Sequence, residues 1–169
     1  MELQALGFND WFKRRHKESS KPDHSIARIT AVNKGHYLVR NEHSEVLAEV
    51  AGEFRFLAES VIKYPVVGDW AFVQYYNDNT LAIIYDLFPR KTILRRKTAG
   101  KKVDYQIIAS NIDVAFVVQS CNFNFNLRRL ERYLVMVNDS HIEPVILLSK
   151  SDLVNQKDLE SKILSLIHI

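Results

Sequence analysis

The hydrophobic pattern of this chain changes period near Pro89, and that change restricts the available folds more than any other feature. Between Ile26 and Leu87 the apolar residues fall in short β-type runs separated by turn residues. The runs are Ile26–Val32, His36–Arg40 after the Asn33-Lys34-Gly35 turn, Val46–Val50 and Gly52–Leu57. After a break at Tyr64-Pro65 and then Gly68-Asp69 come Trp70–Tyr76 and Leu81–Leu87, joined by Asn77-Asp78-Asn79-Thr80. About five meander strands at this spacing predict a small closed barrel of the SH3 or OB type.

Downstream the texture differs. Asn111–Ser120 holds the continuous apolar run Val114-Ala115-Phe116-Val117-Val118, the pattern of a strand buried on both faces. Leu127, Leu130, Leu134 and Val137, with Tyr133, recur at helical spacing, opposite Arg128, Arg129, Glu131 and Arg132. Pro144–Leu148 reads as a second buried strand, and a further helical pattern starts at about Asn155. Strand, helix, strand, loop and helix make a right-handed crossover unit of a parallel sheet. Two such strands need neighbours, and Leu164, Leu166, Ile167 and Ile169 stop in mid-pattern, so the expectation is the first part of a larger protein or a piece cut from one. Residues 1–25, with Leu3, Leu6, Phe8, Trp11 and Phe12 followed by the polar stretch Lys17–His24, are expected to form a partly mobile arm.

Charge is concentrated rather than large. The 169 residues carry a formal net charge of +3, yet Arg90, Lys91, Arg95, Arg96, Lys97, Lys101 and Lys102 lie within 13 positions that contain no acid. Clustered cations of this kind neutralise phosphates and release counterions, which points to a polyanionic partner; the alternative is a solvated basic linker. A second cluster, Lys13, Arg14, Arg15 and Lys17, reads as a helix face. The single cysteine, Cys121, excludes an internal disulfide and a cysteine-rich zinc site within these residues, and fits a reducing, cytoplasmic setting. Cys121 itself is expected to pack as a small hydrophobe at a strand end. No apolar run approaches the roughly 20 residues of a bilayer span, so no membrane association is expected. The six histidines show no metal-ligand spacing, and Asp69 beside Trp70 reads as a turn into a strand.

The loop Ser149–Leu153 follows a buried parallel strand, where open α/β sheets bind ligands. A carboxylate there can accept two parallel hydrogen bonds from the ring N–H and exocyclic amine of guanine, a donor pair adenine lacks on that edge. A lysine two residues earlier can lay its methylenes along the base. An ordinary loop gives the same short pattern.

Longer motifs carry a resemblance. Gly68-Asp69-Trp70, Pro89-Arg90, Arg95–Lys102, Gln106–Asp113, Asn124–Leu134 and Pro144–Leu153, in this order, resemble the ribosome small-subunit-dependent GTPases. The resemblance runs from about Leu6 to about Leu159 and implies a five-stranded OB-like barrel followed by an incomplete parallel-sheet unit of a circularly permuted P-loop GTPase. Its implied domains are an arm at 1–25, the barrel at 26–89, a basic connector at 90–110 and the start of the GTPase domain at 111–169. It implies that Lys150 and Asp152 read guanine. Ser149 stands where the general motif has Asn, which leaves its share of the contacts open. No GxxxxGK[ST] phosphate loop occurs in the 169 residues. The resemblance therefore implies GTP and Mg²⁺ for a longer parent, zinc in that parent's C-terminal domain, and no turnover by this chain alone.

The partners implied are the small ribosomal subunit with its rRNA and a guanine nucleotide, engaged by a monomer. The expected RNA contacts are Lys34, His36, Tyr37 and Arg40 around the first barrel turn, with Arg95, Arg96, Lys97, Lys101 and Lys102 in the basic stretch; Tyr37 has a core position as its alternative. Two other functions compete: a stand-alone OB-fold RNA-binding module without nucleotide hydrolysis, and an interaction module using its apolar sheet edge.

Overall fold

A computed structural model describes residues 2–19, 21, 23–57, 61–98 and 105–167. They fall into two compact units that divide between Asn111 and Ile112.

The first unit is built on a closed barrel of β1 (Ser25–Asn33), β2 (His36–Arg40), β3 (Glu45–Val50), β4 (Trp70–Tyr76) and β5 (Leu81–Leu87), in the order β1-β2-β3-β5-β4. Alternate residues point inward, as the pleat requires. In β3, Val46, Ala48 and Val50 are buried while Glu45, Leu47 and Glu49 are exposed. Alanines at 27, 48, 71 and 82 share the core with Ile29, Val39, Val73 and Ile84, because a narrow barrel accommodates a mixture of small and branched side chains.

Only β1-β2-β3 is a meander. β3 pairs with β5 in parallel and β4 closes onto β1, as in OB-type barrels rather than an up-and-down array. The parallel pairing requires a crossover, and Gly52–Leu57, expected to continue the β-type runs, is the helix α2 within it. Glu53 in its first turn suits the positive end of the helix dipole, and Phe54 packs against the barrel core.

The N-terminal arm also departs from expectation, because it is packed. Leu3–Leu6 forms a 3₁₀ turn, and α1 (Asp10–Glu18) starts at Asn9, whose side chain accepts from Trp11 N. The inward positions of β4 are Ala71 and Val73, so Trp70 and Phe72 face outward and need cover. Phe8 and Phe12 supply it together with Phe88, and the Phe72 and Phe88 rings stack at 4.2 Å. Burying aromatic surface of this size contributes more than the mobility of the arm would.

In the stretch read as a basic connector, the described residues are folded. β6 (Ile93–Lys97) and β7 (Tyr105–Ser110) pair antiparallel, with Arg96 opposite Gln106 and Lys97 opposite Tyr105. The hairpin is fastened to the barrel by a buried carboxylate. Asp69, read from sequence as a turn, is wholly buried; it accepts from Val66 N, from the Ser110 hydroxyl, and from Arg90 through Nε at 2.8 Å and Nη2 at 2.7 Å. Gly68, at φ +93, lies so close that a Cβ there would run into the Ser110 carbonyl. Asn111 completes the joint, donating to Gly68 O and accepting from Lys91 N.

In the second unit, β8 (Val114–Ser120) and β9 (Glu143–Ser149) pair in parallel, and α3 (Leu127–Asp139) packs on one face. The strand expected to be buried on both faces is covered on one: Val117 is 7% exposed and Phe116 66%. The α3 side covers Val117 and Gln119, and the described residues place nothing comparable over Val114, Phe116 and Val118. Cys121, at the end of β8, is fully buried. A 3₁₀ turn (Ser151–Leu153) and α4 (Gln156–Leu166) complete the unit. No helix among the described residues is long and apolar enough to cross a membrane.

Candidate functional site

The paired strands β8 and β9 end level, Ser120 opposite Ser149, so the loops that follow them leave from one edge of the sheet. Cys121 N donates to Ser149 O at 2.8 Å and extends the pairing by one bond. Lys150 then turns the chain with φ 57° and ψ 34°, left-handed geometry that costs a residue with a Cβ about 1–2 kcal/mol. The Ser151–Leu153 turn follows, and Asn155 caps α4 by accepting from Asp158 N at 2.8 Å.

Lys150 and Asp152 are exposed, and neither side chain has an ion pair or hydrogen bond among the described residues. Both retain their full capacity for a ligand. Ser149 is half-buried at the strand end. The neighbouring loop is held by a polar network. Gln119 donates to Asn124 O, and Arg129 Nη2 donates to the same oxygen at 2.6 Å. Asn126 caps α3 by accepting from Arg129 N. Asn124, Asn126 and Arg129 lie within the motifs quoted above but were given no role there, and Gln119 lies outside them. Their signal is an amide-rich loop directly before a helix with an arginine at its third position.

In the first unit, Lys34 and His36 flank Gly35 and are exposed, and His36 Nδ1 lies 3.6 Å from Glu49. Tyr37 is half-buried against the barrel core, and Arg40 is half-buried on β2. Arg95, Arg96 and Lys97 are exposed on β6. The Arg95 guanidinium sits 4.6 Å from the Tyr105 ring centroid, and Arg96 donates twice to Gln106 Oε1. Lys101 and Lys102 lie outside the described residues. Among the described residues, the basic groups thus sit in two places in the same unit, the β1–β2 hairpin and strand β6. No group of three or more His, Cys, Asp or Glu among the described residues could hold a metal ion.

Comparison with known proteins bears on both units. The small ribosomal subunit biogenesis GTPase RsgA 1 of Bacteroides thetaiotaomicron is 38% identical over 151 residues, covering 89% of this chain and 42% of that protein. The RsgA 1 protein of Listeria innocua is 40% identical over 156 residues, 92% of this chain and 42% of its own length. Among solved structures, YloQ, described as a circularly permuted GTPase, aligns with a TM-score of 0.60 at 24% identity, over 88% of this chain and 48% of that one. YjeQ from Thermotoga maritima gives 0.62 at 19% identity, over 85% and 47%. At these identities the two structures establish the fold alone. The chain spans about two-fifths of the length of these curated relatives. The RsgA GTPase family model matches residues 87–168, from the end of the barrel through both strands of the parallel sheet and the loop that carries Lys150 and Asp152, and the chain belongs to that family.

Proposed function

We propose that this chain is the N-terminal region of a GTPase that acts in small ribosomal subunit biogenesis, with 26–89 as an RNA-binding barrel and 111–169 as the start of a permuted GTPase domain. The observation that carries the reading is the loop after β9. Lys150 and Asp152 stand exposed and unspent at the carboxyl edge of a parallel sheet, within the span matched by the family. In this reading Asp152 accepts the guanine N1–H and amino hydrogens, and the Lys150 stem lies along the base with its ammonium in solvent. Ser149 offers a hydroxyl at the strand end. GTP's phosphates and Mg²⁺ fall to a phosphate loop elsewhere in the longer protein, since these 169 residues contain no GxxxxGK[ST] sequence. Zinc is assigned to that longer protein as well, and the setting is the cytoplasm.

The direct test is hydrolysis by the longer protein, with and without small ribosomal subunits. GTP turnover that excludes ATP and is tied to subunit binding supports the reading; guanine-independent binding of RNA alone supports the stand-alone module instead.

RNA contact is assigned to Lys34, His36, Tyr37 and Arg40 on the barrel and to Arg95, Arg96, Lys97, Lys101 and Lys102 on the basic stretch. Each phosphate neutralised contributes about 0.7 to 0.9 to the slope of log affinity against log salt. Changing Arg95, Arg96 and Lys97 together to Gln should flatten that slope for an rRNA fragment by roughly 2 to 3 units. An unchanged slope would confine the hairpin to a structural role.

A further inference from the structure

Gln119 breaks the apolar pattern of β8. It is 3% exposed on the face that α3 covers, beside Val117, where a hydrophobic residue would pack with no polar group to satisfy. An amide in such a place costs free energy unless it is hydrogen-bonded, and here both of its ends are used. Nε2 donates to Ser120 O at 3.0 Å and to Asn124 O at 3.1 Å, and Oε1 accepts from Arg129 Nη2 at 3.4 Å. Its partners are therefore the main chain just after β8 and the arginine in the first turn of α3.

Arg129 closes the network from the other side. Its Nη2 also donates to Asn124 O at 2.6 Å, and its Nη1 donates to Asn124 Oδ1 at 3.2 Å. A planar guanidinium fork suits several acceptors at fixed spacing, which a lysine ammonium matches poorly. Asn122 Oδ1 accepts from Asn124 N, and Phe125 N donates to Asn122 O. The backbone from Cys121 to Phe125 is fixed by these bonds together.

This loop meets the turn after β9 from two sides. Upstream of the turn, Cys121 N donates to Ser149 O at 2.8 Å, the carbonyl directly before Lys150. Downstream of it, the Lys162 ammonium of α4 lies 5.7 Å from the centroid of the Phe125 ring, within cation–π range. Between those two points Lys150 keeps φ 57°, a conformation that persists in a residue with a Cβ where the surroundings impose it. The turn's internal bonds are long, 3.2 Å from Leu153 N to Lys150 O and 3.4 Å from Val154 N to Ser151 O. The external contacts to the β8–α3 loop thus carry much of its geometry.

We propose that Gln119 and Arg129 are positioning residues for guanine recognition. They lock the β8–α3 loop, and that loop sets the Lys150–Asp152 turn through Ser149 O and the Phe125 ring. The proposal rests on the reading of Asp152 as the group that accepts from guanine, and extends it to two side chains outside the turn. Paired hydrogen bonds weaken steeply as their angles depart from linear, so a loosened turn loses the pairing before it loses the base altogether.

The experiment compares GTP with inosine triphosphate, whose base keeps the ring N–H and lacks the exocyclic amine, in the longer protein that carries this region with its phosphate loop. Competition against a fluorescent guanine nucleotide gives both affinities, and steady-state hydrolysis gives kcat and KM. The unmodified protein should prefer GTP by about tenfold to a hundredfold, the worth of one hydrogen bond to a charged acceptor, and Asp152→Ala should abolish the preference. Arg129→Gln and Gln119→Leu should each reduce the preference about threefold or more, the scale of coupling within one hydrogen-bond network. KM for GTP should rise while kcat holds, because the phosphates are bound by other residues. Arg129→Lys, which keeps one donor for Asn124 O, should retain more of the preference than Arg129→Gln. A variant that only loses stability has fewer folded molecules, which lowers the apparent kcat and leaves the ratio of the two affinities unchanged.

If Arg129→Gln does not fold, Arg129→Lys carries the same comparison. A preference that Asp152→Ala abolishes but that the folded Gln119 and Arg129 variants keep in full overturns the positioning role and leaves Asp152 as the reader of guanine. No preference in the unmodified protein, or one that survives Asp152→Ala, overturns the guanine reading and this proposal with it.

Discussion

Arg90→Ala should destabilise the barrel unit by about 3–5 kcal/mol, the range observed when one partner of a buried ion pair is removed. Arg90 donates to both oxygens of Asp69, and also to Ile62 O at 2.6 Å and Tyr64 O at 2.8 Å. The carboxylate has no exposed surface, so water cannot replace the lost guanidinium without opening the joint. The remaining donors, Val66 N and the Ser110 hydroxyl, are neutral. Domains of this size are stable by only about 5–15 kcal/mol in total, so the variant should lie near the edge of folding at 37 °C. Urea unfolding checks this, with a lower midpoint at an unchanged m-value as the expected result. The double variant Asp69→Leu with Arg90→Met should recover part of the loss, because it removes both charges together. A single-variant cost below about 1 kcal/mol would mean that the pair is hydrated and not a clamp.

That clamp marks the limit of what the sequence discloses. The barrel strands are legible because alternation along one strand is a local property: Val46, Ala48 and Val50 announce their face without reference to any other part of the chain. The helix α3 and the two parallel strands are legible for the same reason. Gly52–Leu57 is not, because six residues with Phe54, Phe56 and Leu57 satisfy a short strand as well as a short helix, and only the crossover to a parallel partner decides. The arm is not legible either, since its order depends on Trp70 and Phe72 facing out of the barrel some 60 residues later. Asp69, Arg90, Ser110 and Asn111 lie up to 42 positions apart, and nothing local distinguishes a buried acid from a turn acid. The turn at Ser149–Asp152 is legible because its neighbours in sequence are also its neighbours in space.

Asp152→Asn, made in a protein that carries this region together with its phosphate loop, should lose the preference for guanine. The side-chain amide presents one acceptor and one donor where guanine offers two donors, so one of the two parallel contacts becomes a clash of hydrogens. The change also removes the negative charge that makes such a pair strong, and hydrogen bonds to charged groups contribute about 1.5–3 kcal/mol. That corresponds to a loss of about tenfold to a hundredfold in GTP affinity. Xanthine replaces the amino group with a carbonyl that can accept from the Asn amide, so the same variant should bind xanthosine triphosphate better than GTP. Asp152 is exposed and makes no hydrogen bond or ion pair through its side chain among the described residues, so the fold and the RNA affinity of the variant should be those of the parent. Competition between GTP and xanthosine triphosphate, read against a fluorescent guanine nucleotide, measures the switch. If both triphosphates lose affinity equally, Asp152 supports the loop without touching the base, and guanine is read by other residues.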